Sequence, residues 1–418
     1  MFKQKQKVYF KTFGCRTNQF DTQIMMQSLQ NYEVTLQEDH AHIIVINSCT
    51  VTNGADSSVR NYINSVKRRS NAKIVFAGCG AFSQGGTLFE QNRVHTVFGH
   101  SQKKDIDTIL QKKDPHFSLG SLDAVDDLIV ANFIGKSRCF IKIQEGCDFR
   151  CSYCIIPSVR GGSRSHDEGM VLKQIKLLAQ NGYGEFILTG TNVGSYGKDT
   201  QSSLARLLQK IVLIPGVKRV RLGSIEPSQV DEALIDIVSH PKIAKHLHIA
   251  IQHSSNAMLS IMQRQNRFES DLKLLQRFAK MGFALGTDFI VGHPHESQDI
   301  WEEAVANISQ MPLTHIHAFT YSKRDNTLSA KMGETVPNKV AKLRHKQLVQ
   351  IIKEKNYRFR SAVSQPLFVL VENSKNGVQY GYDQFYNQIK IKSDKDLQHC
   401  WIEVDNVKTE KDGNVTTI

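Results

Sequence analysis

The 418-residue chain has no apolar run approaching a membrane span, which needs about 20 residues. Its N-terminus, MFKQKQK, is basic, but the VYFKTF that follows is too short and too broken for the core of a secretory signal. These absences predict a cytoplasmic protein with no membrane partner. Acidic residues are scarce: 40 Asp and Glu stand against 53 Lys and Arg, a formal net charge of +13. That surplus favours a polyanionic partner, nucleic acid before an acidic membrane surface, although a basic enzyme without such a partner has the same balance. With 40% hydrophobic and 22% charged residues the composition is that of a globular protein. The length allows two or three domains with a sizeable core. Eight cysteines in a reducing compartment point to metal or redox chemistry rather than to disulfides.

The most informative shortage is local. QEGCDFRCSYCIIP (Gln144–Pro157) holds Cys147, Cys151 and Cys154 but no fourth cysteine. The run CFIKI (Cys139–Ile143) before it reads as a strand, so the three thiols occupy the loop leaving a strand end. A cubane iron–sulfur cluster that only carries electrons normally has four cysteines. Three leave one iron open to a small molecule. A zinc site with a distant fourth ligand is the alternative.

Three segments of the N-terminal third share one build. Lys7–Phe13, Ala41–Asn47 and Lys73–Ala77 are β-rich apolar runs that end at Gly14-Cys15, Ser48-Cys49 and Gly78-Cys79. Helical periodicity follows the first two, over about Gln19–Leu29 and Ala55–Arg69. The βαβαβ order predicts an open parallel α/β sheet, whose ligands bind beyond the carboxyl ends of the strands. Each cysteine alone reads as a buried structural thiol. All three at strand ends read as ligands of a second cluster, again one ligand short. KKDIDTILQKKD predicts a short helix, and the acidic DAVDD (Asp123–Asp127) reads as a linker.

From Cys139 strands and helices alternate. Strands are expected near Glu185–Leu188, Lys218–Gly223, His246–Ile251, Leu285–Val291 and His315–Tyr321. Helical patterns cover Asp167–Asn181, Ser203–Leu213, Ser228–His240, Glu269–Met281 and Ser297–Met311. This predicts a partial barrel of about six βα units, with its active site at the carboxyl ends of the strands. Those ends carry LTGTN (Leu188–Asn192), SIEP with Glu226, QHSSN from Gln252, and TDFIVGHPHE (Thr287–Glu296). Histidines 246, 248, 253, 293, 295, 315 and 317 admit a metal reading, since alternate residues share a strand face, but satisfied core or mouth histidines are the more common case. Asn338–Ala362 reads as a basic helix. From Gln365 short β runs, LFVLVEN, VQYGY, NQIKI and CWIEVDNV, predict a small all-β domain. Tyr380, Tyr382, Phe385 and Tyr386 either stack on bases or pack that domain. Cys139 and Cys400 read as having no redox role.

CDFRCSYC, with Tyr153 before the last cysteine, resembles the cluster motif of the radical S-adenosylmethionine (SAM) superfamily. FGCRTNQFD, INSCTVT and AGCGAF resemble the three cysteine signatures of the methylthiotransferase N-terminal domain. VLVE with YGYDQFYNQIKI resembles a TRAM domain, an oligonucleotide-binding-type barrel of tRNA-modifying enzymes. The resemblance implies an α/β chain of three parts: an open parallel domain over 1–132, a partial (β/α)6 radical SAM barrel over 133–363, and a TRAM-like barrel over 364–418. It implies two 4Fe-4S clusters, on Cys147, Cys151 and Cys154 and on Cys15, Cys49 and Cys79. It also implies SAM held near Tyr153, Thr189, Gly190, Glu226, Gln252 and Ile290. Gln252-His253-Ser254 and His293-Pro294-His295 depart from the family's usual Gln-Ser-Gly and Phe-Pro-Gly, and Asn326 replaces the usual glycine of YSKRDNT.

The activity implied is methylthiolation at C2 of an adenine in the tRNA anticodon loop. SAM bound at the open iron yields the radical that takes the C2 hydrogen. Sulfur carried on the second cluster is methylated by a second SAM. An electron donor of flavodoxin or ferredoxin type and a sulfur donor are implied as partners. GCRTNQFD resembles the subgroup acting on N6-threonylcarbamoyladenosine, whose carboxylate calls for an arginine, with Arg160, Arg164 and Arg324 as candidates. Other readings are action on isopentenyladenosine, action on a ribosomal protein side chain, and a non-enzymatic RNA-binding protein whose cysteines hold zinc.

Overall fold

A computed structural model describes residues 5–333 and 335–418; Met1–Gln4 of the basic MFKQKQK stretch lie outside the described residues. The chain begins with β1 (Lys7–Thr12), α1 (Arg16–Gln27), β2 (Glu33–Thr35), β3 (Ile43–Ser48), α2 (Asn53–Arg69), β4 (Lys73–Gly78), α3 (Cys79–Glu90), β5 (Thr96–Phe98), α4 (Ile106–Gln111) and β6 (His116–Ser118). Its strands form a parallel sheet in the order β2-β1-β3-β4-β5-β6. β3 is buried along its whole length, which is why it reads as an unbroken apolar run rather than an alternating one. One sheet face packs on Met25, Ile106 and Leu110. The other packs on Val59, Ile63 and Val66 of α2.

The central part comprises β7 (Cys139–Glu145), α5 (Ile156–Arg160), β8 (Arg164–Ser165), α6 (Glu168–Gln180), β9 (Glu185–Gly190), α7 (Leu204–Ile211), β10 (Arg219–Leu222), α8 (Glu232–Val238), β11 (His246–His248), α9 (Asn256–Ile261), α10 (Phe268–Lys280), β12 (Ala284–Val291), α11 (Gln298–Gln310), β13 (His315–Thr320) and α12 (Asn338–Ala362). Parallel pairing runs β7-β9-β10 and β11-β12-β13. Parallel bridges Val220–Ile243 and Ile225–Ile249 join the two sheets. The result is six parallel strands in one curved wall, with short β8 antiparallel to β7. Helix starts follow polar caps: the side chains of Asp167, Ser203, Asp231 and Ser297 each accept a backbone N–H from the first turn of the next helix. α7 buries Leu204, Leu207, Leu208 and Ile211, a spacing that lines one helix face.

Side-chain direction on β12 fixes the lumen. A Cβ on Gly286 would meet His248 Nδ1 at 2.8 Å and His246 Nε2 at 3.1 Å, so Gly286 faces those histidines. Asp288 and Ile290 share its face by alternation, while Leu285, Phe289 and Val291 lie in the outer core. The first part does not stand apart from this wall: Phe20 and Ile24 of α1 are buried in one core with Phe140, Ile141 and Ile143 of β7.

The last part holds β14 (Leu367–Lys375), β15 (Val378–Tyr382), β16 (Gln388–Lys392), β17 (Trp401–Val404), β18 (Lys408–Glu410) and β19 (Gly413–Thr417), in the order β17-β14-β15-β16-β19-β18. It is mostly antiparallel and half-barrel in form, as a TRAM-like domain requires. Arg360 near the end of α12 clamps it, donating to Asn414 Oδ1 at 2.8 Å and to the carbonyls of Glu410 and Lys411.

Candidate active site

Cys147, Cys151 and Cys154 lie in the loop between β7 and α5. Gln144 at the end of β7 shapes that loop. Its amide donates to the carbonyls of Glu145 and Gly146, both at 2.8 Å, and accepts the N–H of Asn192 at 2.8 Å. Asn192 Nδ2 lies 3.8 Å from Cys147 Sγ, and Arg264 Nη1 lies 3.8 Å from Cys151 Sγ. Arg264 is itself fixed by an ion pair with Glu226 and by the Ala250 carbonyl. N–H donors aimed at sulfur suit thiolates rather than thiols. Burial nevertheless lifts the Cys154 thiol to about 12 and raises Cys147. Metal-free, these groups stay protonated at neutral pH, and a bound cation must displace the protons.

The other cysteines sit at the carboxyl ends of three adjacent strands: Cys15 before α1, Cys49 after β3, Cys79 as the first residue of α3. Gly78 makes the last placement possible. Its φ of +88° turns the chain from β4 into α3, and a Cβ there would fall 2.4 Å from Asn47 Oδ1. Burial pushes the Cys49 thiol up to about 12, and the neighbouring Cys79 and Cys15 add to the rise. Three thiols close enough to oppose each other's ionisation, in a sheet end, form a donor set that suits a soft metal or an iron–sulfur cluster.

α5 joins the two cysteine groups. It leaves Cys154 directly and packs Ile155 and Val159 on Cys79. Its last residue, Arg160, donates from Nε to Cys79 Sγ at 3.2 Å and pairs with Asp21 and Glu145. Lys142 contacts Asp21, Asp126 and Glu145, and Lys103 contacts Asp21 and Asp126. Three carboxylates thus face three cations inside the protein. Burial alone would raise Asp21, but Lys103, Lys142 and Arg160 reverse that and hold it well below the usual carboxylate range.

The predicted residues divide accordingly. The three arginines expected to meet substrate are engaged elsewhere. Arg160 is 2% exposed and bound as above. Arg164 donates to the carbonyls of Gly162 and Arg160. Arg324 pairs with Asp56 at 2.5 Å and with Asn53 at 2.8 Å. Thr189 meets Thr17 of α1 at 3.4 Å, and Gly190 follows it at the end of β9. Glu226 holds Arg264. The Gln252 backbone pairs with Asp288 and Ile290. Tyr153, half-buried, lies edge-on to His293 with ring centres 6.4 Å apart.

Asp126 of the expected linker is not a solvated charge, because Lys103 and Lys142 draw it into the buried network. Phe385 packs the small domain's core, while Tyr382 and Tyr386 stack on each other at 5.0 Å. His248 and His317 both meet Asp288, at 3.1 and 3.3 Å, which gives these lumen histidines a carboxylate partner. Sequence reasoning missed Arg264 and Lys142. Arg264 sits in a polar stretch after α9 with no motif, and Lys142 lies inside an otherwise apolar strand.

Residues 7–99 match the family described as uncharacterized protein family UPF0004, and residues 141–308 match the radical SAM superfamily. A Helicobacter pylori protein named among the methylthiotransferases is 50% identical over 95% of this chain and 96% of its own length. Threonylcarbamoyladenosine tRNA methylthiotransferase MtaB of Aquifex aeolicus is 33% identical over 92% of this chain and 99% of its own. The chain belongs to the radical SAM methylthiotransferase family. Membership brings SAM and an iron–sulfur cluster as cofactors and makes the protein an enzyme. The tRNA-2-methylthio-N(6)-dimethylallyladenosine synthase of Bacillus mycoides is 32% identical over 94% of this chain and 81% of its own. In fold the chain is similar to the radical SAM methyltransferase TsrM of Kitasatospora setae, with a TM-score of 0.58, 15% identity, and coverage of 76% of this chain and 75% of that one. Among the described residues no helix is long and apolar enough to cross a membrane.

Proposed function

We propose that the protein is a tRNA methylthiotransferase that converts N6-threonylcarbamoyladenosine beside the anticodon to its 2-methylthio derivative. The carrying observation is the contact of α5 with Cys79, which sets two three-cysteine groups on abutting elements. In this reading Cys147, Cys151 and Cys154 hold the cluster that binds SAM, and Cys15, Cys49 and Cys79 hold a second one. When bound, these groups supply low-potential electrons, a carbon-centred radical able to take an unactivated C2 hydrogen, and the sulfur to be transferred.

The chain supplies position and charge. Asn192 and Arg264 direct N–H groups at Cys147 and Cys151. Glu226 holds Arg264 in place, and Tyr153 lies edge-on to His293 beside the loop. Gln144 fixes the strand exit and the LTGTN loop together. Thr189, Gly190, Gln252 and Ile290 line the wall where SAM would lie. The α1 helix, seated against β7 and β9, keeps Cys15 facing the same wall. A target base must leave the stacked anticodon loop to reach this depth. The +13 charge and the TRAM-like domain suit an RNA partner. An electron donor of flavodoxin or ferredoxin type and a separate sulfur donor complete the turnover.

Support for the threonylcarbamoyl substrate comes from the MtaB relatives, with the GCRTN sequence at Cys15. The dimethylallyladenosine enzymes are similar at nearly the same identity and define the second reading. Mass spectrometry of tRNA nucleosides from a deletion strain decides between them. Loss of 2-methylthio-threonylcarbamoyladenosine with accumulation of the unthiolated form is expected. An unchanged profile rejects the proposal.

A further inference from the structure

The proposed substrate ends in a carboxylate, and a buried carboxylate needs a cation. Arg160 and Arg324 are already paired with acids, and Arg164 is turned onto backbone carbonyls. Arg16 is different. It directly follows Cys15, is only partly buried, and has no carboxylate partner among the described residues. Its Nη2 donates to Tyr386 Oη at 2.8 Å, and its guanidinium lies 5.5 Å from that ring's centre. Tyr386 in turn stands 5.1 Å from His246, on the lumen face marked by Gly286. The side chain therefore spans from the second cysteine group into the barrel.

The surroundings carry a positive surplus. Arg138, Arg219 and Arg221 gather at the same corner, and with Arg16 they set four guanidinium groups against Glu185 and Glu372 as directly paired carboxylates. Arg138 and Arg221 also lie 5.6 and 5.1 Å from the Tyr386 ring. The nearby Asp383, lifted to about 6 by burial, is still largely ionised at neutral pH and makes a third carboxylate against the four guanidinium groups. Burial first, and then the adjacent Arg221, lower Arg219 to about 10, while for Arg138 burial is outweighed by Glu372 and Glu185, which raise it. One guanidinium is left without an anion, at the lumen wall.

We propose that Arg16, held by Tyr386, binds the carboxylate that ends the N6 substituent of the adenine substrate and thereby sets substrate choice. The assignment rests on the threonylcarbamoyl reading above. A neutral isopentenyl group would leave this guanidinium buried against hydrocarbon and unpaired, which disfavours it. The GCRTN sequence thus joins a cluster ligand and a specificity residue in neighbouring positions.

The test uses the full chain, reconstituted without oxygen, and two anticodon stem–loop RNAs, with a third carrying isopentenyladenosine as the control for the alternative substrate. One carries threonylcarbamoyladenosine; in the other its carboxylate is a primary carboxamide. Methylthio product is measured by mass spectrometry across RNA concentrations, with iron content and 5′-deoxyadenosine release as controls. The unsubstituted enzyme is expected to show a KM roughly 10- to 100-fold lower for the acid than for the amide, the range for a hydrogen bond to a charged group. Arg16→Gln should raise the KM for the acid by that factor and the KM for the amide, whose carbonyl can still accept one neutral hydrogen bond, by several-fold less, and Arg16→Lys should recover part of the difference. Tyr386→Phe, which leaves Arg16 charged but untethered, should raise the KM for the acid about threefold and covers the case in which Arg16→Gln loses iron.

Equal acid-to-amide ratios in the unsubstituted and substituted enzymes overturn the role of Arg16 while leaving the substrate reading intact. Failure of the unsubstituted enzyme on the acid RNA, with turnover on isopentenyladenosine RNA, overturns both.

Discussion

Arg160 Nε lies 3.2 Å from Cys79 Sγ, and the same guanidinium is paired with Asp21 and Glu145. One side chain thus ties the barrel's first loop to the N-terminal sheet, in a site where three acids and three cations meet and all but Asp126 are buried. Removing one member of such a set strands the others. Arg160→Met should cost about 3 to 5 kcal/mol, read as a lower urea midpoint under argon. Arg160→Lys keeps the charge but not the fork, and should recover part of the loss. A midpoint unchanged in Arg160→Met would mean that water or rearrangement satisfies Asp21 and Glu145.

Arg324 performs a related task at the other side of the domain contact. It pairs with Asp56 and Asn53 of α2, and Ser322 accepts the N–H of Asn53 at 2.7 Å. Arg324→Ala should weaken that seam by about 1.5 to 3 kcal/mol, the range for hydrogen bonds to charged groups. Hydrogen exchange is expected to quicken in residues 53–59 and 321–327 and to stay unchanged in β9 and β12. Uniform acceleration across the chain would instead assign Arg324 to global stability.

Asp271 gives a pH signature. Burial lifts its carboxyl to about 7, although Asn266 donates to it at 2.5 Å and draws the other way. An unfolded aspartate titrates near 4. Between these values the folded chain holds a proton that the unfolded chain has lost, so this group's contribution falls as pH rises from about 4 to about 7 and is flat beyond. The full span is worth up to about 4 kcal/mol, since each pH unit of difference between the two states carries about 1.4 kcal/mol. Thermal unfolding of Asp271→Asn should lose that part of the pH slope. A slope identical to that of the unsubstituted protein would show that Asp271 ionises normally.

Much of this architecture is legible in the sequence because buried parallel strands are apolar along their length. Lys7–Thr12, Ile43–Ser48 and Lys73–Gly78 fall within a residue or two of the runs read from the sequence. The polar caps Asp167, Ser203 and Ser297 mark helix starts equally well. α3 escaped because CGAFSQGGTLFE has the glycine content of a loop. Its Gly80 answers to packing, since a Cβ there would lie 2.1 Å from Ser48 Oγ. α1 begins at Arg16, earlier than its periodicity suggests, because Cys15 stands at the cap position without a side-chain cap. The arginine roles were not legible at all. Which guanidinium is spent on an acid and which is free depends on contacts across more than a hundred residues of chain, as between Arg160 and Asp21. No local pattern records that.

The two cysteine groups can be separated by experiment. Cys79→Ala removes one thiol of the N-terminal set and Cys151→Ala one of the loop set. If each set holds its own four-iron cluster, each variant should fall from about eight irons per chain to about four. The losses should differ in kind. Cys151→Ala should abolish SAM cleavage to 5′-deoxyadenosine, because the proposed reading assigns that chemistry to the loop whose sulfurs face Asn192 and Arg264. Cys79→Ala should retain cleavage and lose only the methylthio product. Arg160 would still hold Asp21 and Glu145, so the domain contact should survive; a urea midpoint within about 1 kcal/mol of the unsubstituted value would check this. Full loss of iron in either variant would indicate one shared centre, and zinc in place of iron in the unsubstituted chain would remove the redox reading of both sets.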